Sequence, residues 1–453
     1  MNAPHSAGTK RSPAWLGAAL CSLILAAPQA RAAASQDCHV GTYRLEDGSI
    51  VDVAPSEGDS LRWRRFDGTT GALHKTRKGD WRSTYGWTDR PDGKTVAFSD
   101  CSAGTIRFGD ASGRLIPFDV TDATFKSHGT ALAGRLVLPK GNAKVPIVVL
   151  VHGAEHDSAL VYYSLQRMLP ASGVGAFVYD KRGTGKSAGT YTQDFNLLAD
   201  DAVAATREAR RLAGARVSRI GFQGGSEGGW VAPIAANRSS VDFVIVCFGL
   251  AVSVIDEDQQ EVMLEMRDKG HTPGEIAQAL EVARAAETVI ASGFTRGFKQ
   301  FDVVRAKYRN ASWYKDLHGN YTYALLPYSE AQLRELGPKY IWGTPFYYDP
   351  MPTLRADTTP QLWILGGADY EAPSGETGRR ITSLIAAGRP FTLAIYPHAE
   401  HGMTLFETVA DDKRVSTRYA PGYFAMIRDF ALNGRLQGAY GNAQLTVARH
   451  GAP

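Results

Sequence analysis

The decapeptide GFQGGSEGGW, Gly221–Trp230, crowds glycines around one serine, although each glycine inside an element costs up to roughly 1 kcal/mol relative to alanine. The spacing Gly224-x-Ser226-x-Gly228 follows the apolar run SRIGF directly and precedes a helical pattern, GGWVAPIAANR. Strand, sharp turn and helix together describe a nucleophile elbow, in which the serine is held strained and backbone passes so close that glycine is required two residues to either side. A serine hydroxyl is a weak nucleophile. It needs a base, and the base needs a carboxylate to orient it; in this architecture they follow in the order serine, acid, histidine.

Both partners occur where that order places them. Asp369 follows the apolar run QLWILGG, with Glu371 as the alternative acid, and HAEHGM follows FTLAIYP, offering His398 and His401. His401 is favoured as the base, because it lies several residues past the strand end in a loop, next to Gly402. Acyl transfer also needs donors for the developing oxyanion. LVHGAEH supplies one beyond a buried strand, so the backbone N–H of Ala154 is paired with that of Glu227, the residue after the nucleophile.

The elements that must hold these residues read as an α/β domain. VPIVVLVHG, VGAFVYD, SRIGFQ, FVIVCFGL, QLWILGG and FTLAIYP are short apolar runs of the type found in parallel strands covered on both faces. Helical patterns such as LLADDAVAATREARRLAG alternate with them, which predicts a mostly parallel sheet with helices on both faces. The alternation breaks at 254–349, where two helical stretches, the second opened by Thr272, Pro273 and Glu275 as a capping box, precede a run rich in aromatics. A helical lid insertion is expected there, with His156, Trp313 and Tyr347 as candidate pocket residues. Before the α/β domain, at 37–120, short alternating runs broken by Asp47-Gly48, Asp67-Gly68 and Asp92-Gly93 predict hairpins and a small N-terminal β domain.

The first residues differ in kind. Lys10 and Arg11 precede the apolar run AWLGAALCSLILAAP, and Ala30-Arg31-Ala32 has the small-x-small form of a cleavage site, so 1–32 is expected to be a signal peptide and the protein exported, periplasmic or secreted. Removing it takes three positive charges from the formal net +4, which excludes a basic surface built for nucleic acid, and no later stretch is long and apolar enough for a membrane span. Three cysteines remain. Cys247 lies in a strand-like apolar run, while Cys38 and Cys101 bracket the β domain and, in an exported chain, form the expected disulfide.

The set VHGAEH, YDKRGTGKSAG, GGSEGG, YDPMPTL, GGADYEAP and HAEHGM, spread over 147–403, resembles the α/β-hydrolases, and among them bacterial secreted serine esterases with an N-terminal β domain and a helical lid. The resemblance implies that fold for 121–453, the triad Ser226, Asp369 and His401, a small-molecule ester substrate cleaved through an acyl-enzyme, and no cofactor or metal. A serine peptidase or aminoacyl hydrolase uses the same machinery and is the nearest alternative. His152, Glu155 and His156 also fit an inverted zinc signature, but that chemistry needs both histidines on one helix face, and Gly153 follows a β-rich run. GTGKS falls short of a phosphate-binding loop because Asp180 stands where a glycine is required, and a non-catalytic binding protein would not need the full serine, acid and histidine set.

Overall fold

The computed structural model describes residues 38–447, so the expected signal peptide at 1–32 lies outside the described residues. Eight short strands open the chain: β1 Gly41–Leu45, β2 Ile50–Pro55, β3 Leu61–Arg65, β4 Thr70–Lys75, β5 Trp81–Thr84, β6 Pro91–Phe98, β7 Thr105–Phe108 and β8 Ala111–Leu115. They alternate inward and outward residues, and the pairing of β1 with β8 closes them into an antiparallel barrel around Tyr43, Val51, Trp63, Leu73 and Val96. Asp47-Gly48 and Asp67-Gly68 make the expected hairpin turns, each glycine at positive φ. Asp92-Gly93 does not: it lies inside β6, where Gly93 at φ 77° accompanies a register shift against β5, and the chain reverses instead at 85–90. Cys38, before β1, is paired with Cys101, between β6 and β7, with Cα atoms 5.6 Å apart.

The barrel ends at Leu115 rather than at 120. β9 (Phe118–Ser127) and β10 (Thr130–Pro139) form a ten-residue ladder that turns at His128-Gly129 and belongs to the second sheet, with Val120 opposite Val137. That sheet continues through β11 (Val145–Val151), β12 (Gly175–Tyr179), β13 (Val217–Gly225), β14 (Phe243–Cys247), β15 (Gln361–Gly366), β16 (Phe391–Tyr396) and β19 (Gln444–Val447). Its order is β19-β16-β15-β14-β13-β11-β12-β10-β9, parallel from β12 to β16 and antiparallel at both ends. β11, β12, β14 and β15 are buried at every residue, and two apolar clusters, one on each face, explain why their sequences show no alternation.

Of the six α-helices between β14 and β15, five, Val254–Asp268, Pro273–Ala291, Phe298–Tyr308, Asn320–Leu325 and Glu330–Leu336, pack around a core of their own, while Met351–Ala356 joins the core of the sheet. Capping boxes at Ser253 and Thr272 start the first two. A hairpin, β17 (Thr404–Thr408) with β18 (Arg414–Tyr419), leaves the sheet after β16 and lies against the barrel, where Trp87 N–H donates to Ser416 O at 2.9 Å and Tyr419 N–H to Gly68 O at 2.8 Å. Arg167 forks onto the fully buried Asp52 at 2.7 and 2.9 Å, tying the barrel to the sheet's helices as well.

Candidate active site

β13 ends at Gly225 and the helix Gly228–Ala236 starts three residues later, so Ser226 stands in the turn between them at φ 51°, a conformation costing an ordinary residue roughly 1–2 kcal/mol. Two glycines make that turn possible. A Cβ on Gly224 would lie 2.1 Å from Gly228 O, and one on Gly228 would lie 2.8 Å from His152 O. The Ser226 N–H donates to Cys247 O at 3.1 Å, fixing the turn to the end of β14.

Asp369 and His401 follow β15 and β16 at the same carboxyl edge of the sheet. His401 Nδ1 meets Asp369 Oδ2 at 3.0 Å, and Asp369, 1% exposed, takes the Ala372 N–H on its other oxygen at 2.8 Å. His398 is exposed, so of the two histidines His401 is the one brought to the acid. The Glu400 carboxylate accepts from Ser416 Oγ at 2.5 Å, which holds the His401 turn onto the hairpin that the barrel supports. Among the described residues Ser226 Oγ makes no hydrogen bond to His401. Phe248 touches both elements: its ring centroid lies 4.9 Å from that of the imidazole, and a Cβ on Gly225 would reach it at 2.8 Å.

The backbone N–H groups of Ala154 and Glu227 donate to no protein acceptor among the described residues, as donors reserved for a ligand oxygen would. Lys181 lies just past β12, beside Arg182, which forks onto Asp201. Lys181 points elsewhere. At 1% exposure its ammonium donates to Glu227 Oε1 at 2.5 Å and to Gly153 O at 3.2 Å. Tyr191 completes this wall: its hydroxyl donates to Ala154 O at 2.6 Å, and His156 stacks on its ring at 3.7 Å. Burial raises the Glu227 carboxyl above its usual range, with Lys181 opposing the rise.

The helix Val254–Asp268 faces the site with acid. Glu257, Glu261 and Glu265, four residues apart and each no more than 9% exposed, share one side of it. Glu261 takes the Asn320 N–H at 2.7 Å and Glu265 lies 3.3 Å from His318, whereas the Glu257 carboxyl has no hydrogen bond or ion pair among the described residues. Burial first, then Glu371, Asp258 and Asp369, push the Glu257 carboxyl well above 4.5; burial and Asp369 also raise Glu371. Burial alone would discharge His401, but Glu371, Asp369 and Glu257 outweigh it and hold the imidazole up to about 10. Burial and the nearby Glu257, Asp258 and Glu227 likewise keep the Tyr321 phenol protonated, so this ring is bracketed by the acidic helix and the elbow.

Two aromatic expectations are corrected. Trp313 is 2% exposed and does not line a pocket: it fills the insertion's own core, its indole N–H donating to Gln278 Oε1, because that small helical unit must bury apolar area of its own. Tyr347, 68% exposed, borders a separate groove of about 810 Å³ with Arg355, Arg380 and Glu287, on a side without Ser226 or His401. The residues of the inverted zinc signature do not form a ligand set among the described residues. Residues 152–157 form no helix, Glu155 is taken by His152 at 3.3 Å and by the Tyr163 hydroxyl, and His156 turns to Tyr191. Among the described residues the donor atoms of those three do not gather; the one cluster of that size is Cys38, His39 and Cys101, whose sulfurs are bonded to each other. No described helix is long and apolar enough to cross a membrane.

Residues 142–287, about a third of the chain, match the model of the serine aminopeptidase family S33. A search of curated proteins returned no match. Similar solved structures include an acylaminoacyl peptidase from Pyrococcus horikoshii, 16% identical with TM-score 0.43 over 87% of this chain and 58% of that one. This chain thus spans less than two thirds of the peptidase. An esterase from Pyrococcus furiosus is 16% identical with TM-score 0.39, covering 63% of this chain and 84% of its own, and one from Exiguobacterium antarcticum is 16% identical with TM-score 0.37, covering 62% and 93%.

Proposed function

We propose that this serine hydrolase of the α/β-hydrolase superfamily cleaves carboxylic esters of small molecules through Ser226, His401 and Asp369. In this reading Ser226 Oγ attacks the acyl carbon while His401 takes its proton, and the Ala154 and Glu227 N–H groups hold the oxyanion. The tetrahedral intermediate then expels the alcohol, which leaves with the proton from His401, and water enters by the same route to release the acid. In the neutral ring this reading puts the remaining proton on Nδ1, 3.0 Å from Asp369 Oδ2, which leaves Nε2 as the base. The observation that carries the reading is a serine at φ 51° on a strand-turn-helix, at the same sheet edge as the 3.0 Å His401–Asp369 pair. The helical insertion serves as the lid: Trp342, in the stretch that follows its last helix, takes the Gln193 N–H at 2.7 Å on its carbonyl, and Tyr321 supplies an aromatic wall.

A second reading is favoured by Glu257. An unpartnered, buried carboxylate beside Glu371 and His401 suits a substrate bearing an ammonium near the acyl carbon, and thus aminoacyl cleavage by the same triad. Comparing kcat/KM for p-nitrophenyl butyrate with that for alanine p-nitroanilide decides between them. The ester reading expects the butyrate to be turned over faster by 10-fold or more. A faster anilide, with a rate that collapses in Glu257→Gln, would replace it by the aminoacyl reading. Export of the protein belongs to the same proposal and is tested by the mass of the N-terminus after secretion.

A further inference from the structure

We propose that Lys181 is the positioning residue of the oxyanion hole, a role that rests on reading Ala154 and Glu227 as its two donors. The Ala154 N–H and the Gly153 carbonyl are two ends of one peptide group. Lys181 Nζ donates to that carbonyl at 3.2 Å, so it fixes the plane of the peptide and draws electron density away from the N–H at its other end. The same ammonium donates to Glu227 Oε1 at 2.5 Å, and Glu227 carries the second N–H on its own backbone. Its remaining direction faces the Tyr191 ring, with Nζ 4.5 Å from the centroid, and Tyr191 in turn donates to Ala154 O at 2.6 Å. An ammonium has three donors, and each has a partner that bears on one of the two halves of the hole.

The two halves come from distant parts of the chain: Ala154 follows β11 and Glu227 follows β13. A buried ion pair is a weak means of stabilising a fold, since desolvation offsets most of its attraction, so 1% and 4% exposure at Lys181 and Glu227 suggest a use beyond stability. Holding two amides at a set separation, in a dry wall one residue from the nucleophile, is such a use.

The test uses the full protein with Lys181→Met, Lys181→Arg and the double variant Lys181→Met/Glu227→Gln, which removes the pair without stranding a buried charge. For each, kcat and KM for an aryl ester are measured with thermal unfolding and with the Ki of a trifluoromethyl ketone, whose adduct with Ser226 places an oxyanion in the hole. Positioning predicts that kcat in the double variant falls by about 10- to 100-fold, up to the loss seen on deleting a whole oxyanion donor. KM should stay within about 3-fold, Ki should rise in step with the fall in kcat, and unfolding should return towards the parent. Lys181→Arg, which keeps the charge on a differently shaped group, should fall between. Recovery of kcat together with stability in the double variant, or an unchanged Ki, would overturn the proposal and leave Lys181 as a packing ion pair. Failure of the underlying reading looks different: the parent protein itself would then bind the trifluoromethyl ketone no more tightly than its methyl ketone counterpart.

Discussion

Glu371→Gln should move the pH dependence of catalysis without touching the His401–Asp369 hydrogen bond. Glu371 makes no hydrogen bond to His401 among the described residues, yet its charge is the first of the influences that raise the imidazole from 6.5 to about 10; Asp369 acts through both its charge and its hydrogen bond, and the charge of Glu257 follows. That rise corresponds to roughly 5 kcal/mol in favour of the charged ring, net of burial. A single opposite charge close to a titrating group moves it by about 1–3 pH units, and the Glu371 charge is the first of those acting on this ring. Only the neutral ring can accept the Ser226 proton, so kcat/KM for a neutral aryl ester should climb with pH through a midpoint well above 6.5. In Glu371→Gln that midpoint should fall by more than 1 pH unit, raising relative activity at pH 7 to 8. Because the folded value lies above the unfolded one, the interaction stabilises the fold fully below about pH 6.5 and fades as pH rises towards 10. Glu371→Gln should therefore lower the unfolding temperature at pH 6 and change it little at pH 10. A parent midpoint near 6.5, or a midpoint unmoved by the substitution, would refute the electrostatic account of the base.

The glycines of the elbow give a second prediction: Gly224→Ala, whose Cβ would sit 2.1 Å from Gly228 O, should destabilise by about 1–3 kcal/mol in thermal unfolding and abolish activity. Gly375→Ala, in open space on the helix Ser374–Ala386, should be neutral or stabilising by up to about 1 kcal/mol and fully active. Cys38 and Cys101 close a loop of 63 positions, so Cys38→Ser/Cys101→Ser should cost about 4 kcal/mol in denaturant unfolding of the barrel, and non-reducing peptide mapping should find the two joined.

Much of the site was legible because each candidate residue stands just past an apolar strand that periodicity picks out. Ser226, Asp369 and His401 follow three such runs, and Gly224 and Gly228 announce a turn in which a Cβ would meet backbone. The residues that were missed act across the sheet. Lys181 lies in a run whose local pattern speaks of a loop, and only the adjacency of β11, β12 and β13 brings it to Gly153 and Glu227. The four-residue spacing of Glu257, Glu261 and Glu265 was visible, but charge on one helix side reads the same whether that side meets water or a site. Aromatics carry the same ambiguity, since burial in a core and lining of a pocket both use flat apolar rings; Trp313 and Tyr347 differ from expectation for that reason, and nothing in the local pattern marks Tyr191. Asp92-Gly93 shows the limit of a dipeptide signal, because a bulge needs positive φ as much as a hairpin does.

Covalent labelling decides whether Ser226 is the nucleophile. The intact protein is treated with a fluorophosphonate, its mass measured, and the modified peptide located. One adduct per chain is expected, on Ser226 in the segment Gly221–Trp230, with none in a Ser226→Ala variant that unfolds at the parent's temperature and a fall of about 10⁴- to 10⁶-fold in that variant's kcat. An adduct on another residue, or a Ser226→Ala protein that still labels and still turns over ester at most of the parent rate, would contradict it.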